Sequence, residues 1–132
     1  MSSAEEIPPD RNLGVLATQS CQIIRRYMFS GGLNGNAVAL EQLALLVESE
    51  LGLSGGEIKE LGNASYLRVA LGNAYGGRVN TATGFEGQTR SLCEDLRHLH
   101  EIPRDSERVA KLVRICHELA SYVRSNPPAH WH

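Results

Sequence analysis

The clearest periodicity in the chain lies in residues 89–126, TRSLCEDLRHLHEIPRDSERVAKLVRICHELASYVRSN. In its first third, leucines recur at three- and four-residue steps, which places them on one face of a helix. These leucines are Leu92, Leu96 and Leu99. We therefore predict a helix over residues 89–101. Pro103 ends it, because proline lacks a backbone N–H and fixes its own φ.

A second helix is predicted in the same stretch, from an N-cap at Asp105 or Ser106 to about Asn126. Its apolar residues follow an a, d, e heptad pattern with Arg and Glu on the outside. They are Val109, Leu112, Val113, Cys116, Leu119, Ala120 and Val123. Because the connection is short, we expect these two helices to form a C-terminal antiparallel helical hairpin.

Two further helices are predicted nearer the N-terminus. The first runs from about Asn12 to Phe29, where apolar residues recur at helical spacing, and Gly31 follows it. The second covers Ala37–Leu51 and is ended by Gly52. Glycine commonly closes helices, because it adopts the left-handed conformation without strain. We expect both helices to pack against the C-terminal hairpin.

The second of these helices is apolar on more than one face, as helices are when they are central or covered by a partner chain. We therefore expect Leu40 and Leu46 to lie at an interface with a second copy or another protein. Trp131, the only tryptophan, stands between His130 and His132 and is a third candidate for that interface.

A third helix is predicted to begin at Ser54 and Glu57, which have the spacing of a capping box, and to end near Tyr75. The tetrapeptide Leu-Gly-Asn-Ala occurs in it twice, with Gly62 and Gly72 ten residues apart. Either the two glycines let another helix approach closely, or the repeat is a coincidence in a chain rich in Gly and Ala.

Residues 76–88 are rich in glycine and are predicted to form an open loop or a short hairpin. Unstructured loops of this length are uncommon and are more often functional or disordered. If the bundle holds a small-molecule site, we expect this loop to contribute to it. The candidate ligand-binding residues are Tyr66, Arg68, Tyr75 and Arg78.

Residues 47–66 contain apolar residues and a glycine at the spacing of a DNA-reading motif. These residues are Val47, Leu51, Gly52, Leu53, Ile58 and Leu61. The stretch resembles the helix-turn-helix of bacterial repressors, which implies DNA binding. However, Glu48 stands where that motif has a small residue, and Glu57 and Glu60 outnumber Lys59 in the recognition helix. Acidic residues there oppose contacts with phosphates, so nucleic acid is not the expected partner.

Metal binding and catalysis find little support in the sequence. His98 has Glu94 and Asp95 at i−4 and i−3, but only one such pair occurs, and Arg97 and Arg114 flank it. The next helix adds Cys116, His117 and Glu118 at a similar height. Neither a nucleophile elbow, a phosphate loop nor a dinucleotide motif occurs. We assign no catalytic residue, no metal and no cofactor.

Charge is nearly balanced but unevenly distributed. The 132 residues carry 13 Lys and Arg and 15 Asp and Glu, for a net charge of -2. Residues 41–60 are acidic and residues 97–124 are mildly basic, a layout that favours self-association or a protein partner over a polyanion. Three cysteines form an odd set without close spacing, which favours a reducing compartment. With no signal peptide or apolar span, we expect a cytoplasmic protein without membrane contact.

Together these patterns predict an all-α protein, an irregular bundle of four to five helices, with a single domain at 12–126 and tails at 1–11 and 127–132. The leading functional hypothesis is a small non-enzymatic interaction, adaptor or regulatory protein that self-associates as a homodimer. One alternative is a ligand-binding or enzymatic bundle that uses the 76–88 loop. The other is a helix-turn-helix regulator built on residues 47–66.

Overall fold

The computed structural model describes residues 13–33, 37–53, 61–75 and 82–126, and within them every regular element is helical. The elements are α1 (Leu13–Ser30), α2 (Val38–Leu51), α3 (Leu61–Ala74), α4 (Ala82–Arg97), a 3-10 turn (Leu99–Glu101) and α5 (Glu107–Ser125). The predicted all-α bundle is confirmed. A search of the described residues finds no helix with the length and hydropathy needed to span a membrane.

The C-terminal ends of α1 and α2 and the N-terminal end of α5 have the residues that the sequence assigns to them. The predicted 89–101 helix is different, because α4 ends at Arg97 and a separate 3-10 turn covers Leu99–Glu101. Gly31 follows α1 with φ of 79° and donates its N–H to the carbonyl of Tyr27 at 2.7 Å. Gly52 follows α2 with φ of 72° and donates to the carbonyl of Glu48. At the start of α5 the Ser106 side chain accepts a hydrogen bond from a backbone N–H, as an N-cap does.

Two helices, α2 and α5, organise the bundle, because each packs against α1, α3 and α4. The most extensive contact joins α5 to α1, and α4 packs mainly on α2. This confirms that the first two helices pack against the C-terminal pair. The pair itself, α4 and α5, is joined by a short connection, yet its two helices contact each other much less than they contact the rest of the bundle.

One hydrophobic core runs between these helices. From α1 it takes residues at three- and four-residue steps, which is the face that amphipathic spacing predicts. Its most deeply buried large apolar side chains are Leu13, Leu16, Ile24, Leu40, Leu43, Leu67, Leu71, Leu96, Leu99, Leu112 and Leu119. Removing such a side chain from water contributes about 1.5–3 kcal/mol, so the core is the main source of stability.

The prediction of a loop or hairpin over residues 76–88 is wrong for the part of it that the structure describes. Residues 82–88 are neither a loop nor a hairpin but the first two turns of α4. Gly87 costs about 1 kcal/mol in a helix interior, which made a loop the better expectation. Tertiary packing supports the helix here: Phe85 packs against the core, and Thr89 is fully buried and donates to the Phe85 carbonyl at 2.8 Å.

Several predictions lie outside the described residues. They are the two tails, the capping box of Ser54 and Glu57, residues 76–81 with Arg78, and the Trp131 region.

Candidate functional site

The structure brings two of the predicted ligand-binding residues together around Phe85. Tyr75 is 8% exposed, donates its hydroxyl to Thr89 Oγ1 at 3.1 Å, and meets the Phe85 ring edge-on at 5.9 Å between centroids. The Arg68 guanidinium lies over the same ring, 5.3 Å from its centroid. Burial raises the pKa of Tyr75 to about 12. Its hydroxyl therefore stays neutral, and the cluster is a side-chain contact between the C-terminal part of α3 and the start of α4.

Tyr66 lies away from this cluster. It is nine residues before Tyr75, which in a helix means about 13 Å along the axis and the opposite face. Its hydroxyl donates to the backbone carbonyl of Asn126 at 2.5 Å, and its ring lies 5.3 Å from that of Tyr122. Burial raises the pKa of Tyr66. The side chain joins α3 to the C-terminal end of α5, so the three described candidates, Tyr66, Arg68 and Tyr75, do not form one pocket.

The predicted interface residues of α2 are covered by their own chain. Leu40 is 1% exposed and Leu46 is 5% exposed, because α2 packs against three other helices. They are core residues. The apolar residues of α2 extend beyond a single face because three other helices pack around it. The exposed apolar residues of the same helix are Val38 at 64% and Leu45 at 51%.

Val38 and Leu45 belong to a set of exposed and half-buried residues on α1 and α2 that we call the α1/α2 face. On α1 its members fall within an arc of about 80°. The face consists of Val15, Gln19, Gln22, Arg26 and Phe29 on α1 with Val38, Gln42 and Leu45 on α2. Between the two helices runs a groove of about 300 Å³, with Ile23 and Ala39 among its lining residues. The 3–4 spacing of these positions was present in the sequence, but their exposure depended on knowing which side of α1 packs inward.

Residues of the acidic stretch on α2 form ion pairs with Arg97, the first residue of the basic stretch, on α4. Arg97 on α4 binds both carboxylate oxygens of Glu48, at 2.5 and 2.8 Å, and its Nε lies 3.2 Å from Glu41 Oε2. The two carboxylates raise the pKa of the Arg97 guanidinium, with the Glu48 hydrogen bond the largest cause. Asp95 on α4 pairs with Arg108 on α5. Two glutamates of the acidic stretch, Glu41 and Glu48, therefore join helices within the chain.

The described cysteines and histidines have different surroundings. Cys93 and Cys116 are buried, which raises the pKa of both thiols, that of Cys93 to about 12. Buried neutral thiols are poor nucleophiles. His98 and His100 are exposed beside Glu101. Within the described ranges no three His, Cys, Asp or Glu residues are grouped closely enough to hold a metal ion.

The helix-turn-helix resemblance is only partly covered by the structure. Val47, Leu51 and Leu53 are buried, and Gly52 makes the turn that the motif requires. Glu48 is half-buried and faces Arg97 of α4. The recognition-helix residues 54–60 lie outside the described residues, so DNA binding stays an alternative hypothesis.

Comparisons of the chain with protein-family models, with curated proteins and with solved structures gave no match. Function is therefore inferred from the geometry described above.

Proposed function

We propose that this chain is a small non-enzymatic interaction protein that self-associates as a homodimer through the α1/α2 face. The observation that carries the proposal is the composition of that face, on which Arg26 is the single charged member of eight. It also exposes Phe29 at 83% and Val38 at 64%. The centres of protein–protein interfaces are depleted in charge and rich in apolar contacts, as this surface is.

A second copy fits this face better than a charged partner does. A twofold axis brings a surface against itself, which costs like-charge repulsion wherever the surface is charged. Here Gln19, Gln22 and Gln42 each carry both a hydrogen-bond donor and an acceptor, so they complement their own copies. The long side chain of Arg26 can extend to the wet rim of such a contact.

The cysteines support the proposed compartment. Cys21, Cys93 and Cys116 are all free thiols in the interior of the bundle. Free thiols of this kind are typical of proteins kept in a reducing environment, and we propose the cytoplasm.

Light scattering on the full chain tests the proposed dimer. We expect a mass twice that of one chain at about 100 µM, the range in which modest interfaces are populated. The substitution Leu45→Glu places two carboxylates in the proposed contact, and the mass should fall to that of one chain. Circular dichroism should be unchanged, since Leu45 is 51% exposed.

Val69→Glu is the matched control. Val69 is also 51% exposed, but it lies on α3, away from the α1/α2 face. The dimer should survive this substitution. A wild-type chain that stays monomeric, or equal loss of mass in both variants, would overturn the proposal.

A further inference from the structure

A second concave surface lies between α4 and α5, two helices that contact each other little. The cleft has a volume of about 270 Å³. It is formed by residues at i, i+3, i+4 and i+7 on each helix. Its lining residues are Gln88, Ser91, Leu92, Asp95, Arg108, Lys111, Leu112 and Ile115. This volume equals that of about nine molecules of liquid water.

The floor and the rim of this cleft differ in character. Leu92, Leu112 and Ile115 form the floor, and all are at most 4% exposed, so they are held in place by the core. The rim is polar and is bridged at two points. Lys111 Nζ donates to Gln88 Oε1 at 3.2 Å, and Arg108 pairs with Asp95. A small apolar site with a few convergent polar groups is the usual form of a ligand pocket.

The charges on the rim do not cancel. Arg108 and Lys111 supply two cations, and Asp95 supplies one carboxylate, which is bound to Arg108. Within the described ranges, no carboxylate lies in salt-bridge distance of Lys111, whose described contact is the neutral Gln88 amide. The cleft therefore has a net charge of one positive unit at its rim. Arg108 also has more N–H donors than its bond to Asp95 uses.

We propose that the α4/α5 cleft binds a small organic monocarboxylate that carries an apolar group. The ligand carboxylate lies between the Lys111 ammonium and the N–H groups of Arg108, and both cations donate charge-assisted hydrogen bonds to it. The hydroxyl of Ser91 is a further donor on the same rim. The apolar group of the ligand occupies the space above Leu92, Leu112 and Ile115. Inorganic phosphate has no apolar group to fill that space, which is why a carboxylate with a hydrophobic tail is the favoured class.

Phenylacetate, with about ten non-hydrogen atoms, is a suitable probe for a space of this size. We expect it to shift backbone amide signals of residues 88–95 and 108–115 in two-dimensional NMR of the full chain, with a Kd of about 1 mM. Lys111→Gln should weaken binding about fivefold, because it removes one charged donor from an exposed site. Lys111 is exposed, so the variant should remain folded.

Arg114→Gln provides the matched control, since Arg114 is exposed on the same helix and does not line the cleft. It should leave the Kd unchanged. Phenylacetamide, which lacks the charge, should bind at least about fivefold more weakly than phenylacetate. Absent or scattered shifts, equal weakening in both variants, or equal binding of the amide would each overturn the proposal. None of these outcomes depends on whether the α1/α2 face forms a dimer.

Discussion

Arg97 is the charged residue to which we assign the largest share of stability. It holds α4 to α2 through Glu48, and the side chains of both residues are 23% exposed. Arg97→Gln leaves the Glu48 carboxylate half-buried without its cation, which costs more than the loss of a surface pair. We expect the free energy of unfolding to fall by about 2 kcal/mol, measured by urea denaturation.

Glu86→Gln is the comparison for an exposed pair. Glu86 lies 3.9 Å from Arg90, and their side chains are 54% and 56% exposed. Pairs of this kind contribute little, so the change should stay within about 0.5 kcal/mol. Equal losses in the two variants would show that burial does not set the strength of these pairs.

The candidate interface illustrates what residue patterns leave undecided. The sequence correctly identified α2 as unusually apolar, but Leu40 and Leu46 proved to be core residues. The sequence pattern shows which positions are apolar. Whether such a side chain is buried depends on which helices pack around it. For the same reason Val38 and Leu45 could be identified as exposed only once α1, α3 and α4 were in place.

Two glycines in or next to helices should respond to alanine in opposite directions. Gly52 ends α2 at φ of 72°, a conformation that strains any residue with a Cβ. Gly72 lies within α3, and a Cβ added there meets nothing within 4 Å. We expect Gly52→Ala to lower the unfolding free energy by about 1 kcal/mol or more, and Gly72→Ala to raise it by about 1 kcal/mol, by urea denaturation.

The Gly72 variant also decides between the two interpretations of the Leu-Gly-Asn-Ala repeat. Within the described chain no helix approaches Gly72 closely, so that half of the repeat does not serve close packing there. A clear loss of stability in Gly72→Ala would instead indicate that a second chain packs against α3 at this point.

The helices differ in how well their boundaries could be predicted. The ends of α1 and α2 and the N-cap of α5 followed from glycine and serine chemistry, which is local. The start of α4 did not. Gly84 and Gly87 disfavour a helix by propensity, and the outcome depended on Thr89 and Phe85 packing against Tyr75, a contact with another helix. Local chemistry predicts where helices stop more reliably than where packing allows them to begin.

For the molecule as a whole, the uneven distribution of charge serves internal cohesion. The acidic α2 and the basic residues of α4 lie far apart in sequence, and Arg97 joins them over a separation of 49 residues from Glu48. Sequence analysis identified both stretches and assigned them to an external partner. Only the topology reveals that α2 and α4 are neighbours.

Stability of the whole fold should fall in alkaline solution. Burial raises the pKa of Cys93 from 9.0 to about 12 and that of Tyr75 from 10.0 to about 12. The unfolded chain therefore releases these protons first, and unfolding becomes easier as pH rises. The stabilisation is complete below about pH 8.5 and is lost between about pH 9 and 12, with a slope of up to about 1.4 kcal/mol per pH unit for each group.

Urea denaturation of the wild type at about pH 8 and pH 10.5 measures this slope, and two variants assign it. Cys93→Ala and Tyr75→Phe each lose some stability at both pH values, because each removes a buried contact. That loss is the same at both pH values and so cancels in the difference between them. Each variant should therefore show a smaller fall from pH 8 to pH 10.5 than the wild type. If the free energy of unfolding falls as much between pH 8 and pH 10.5 in both variants as in the wild type, neither buried group couples proton release to unfolding.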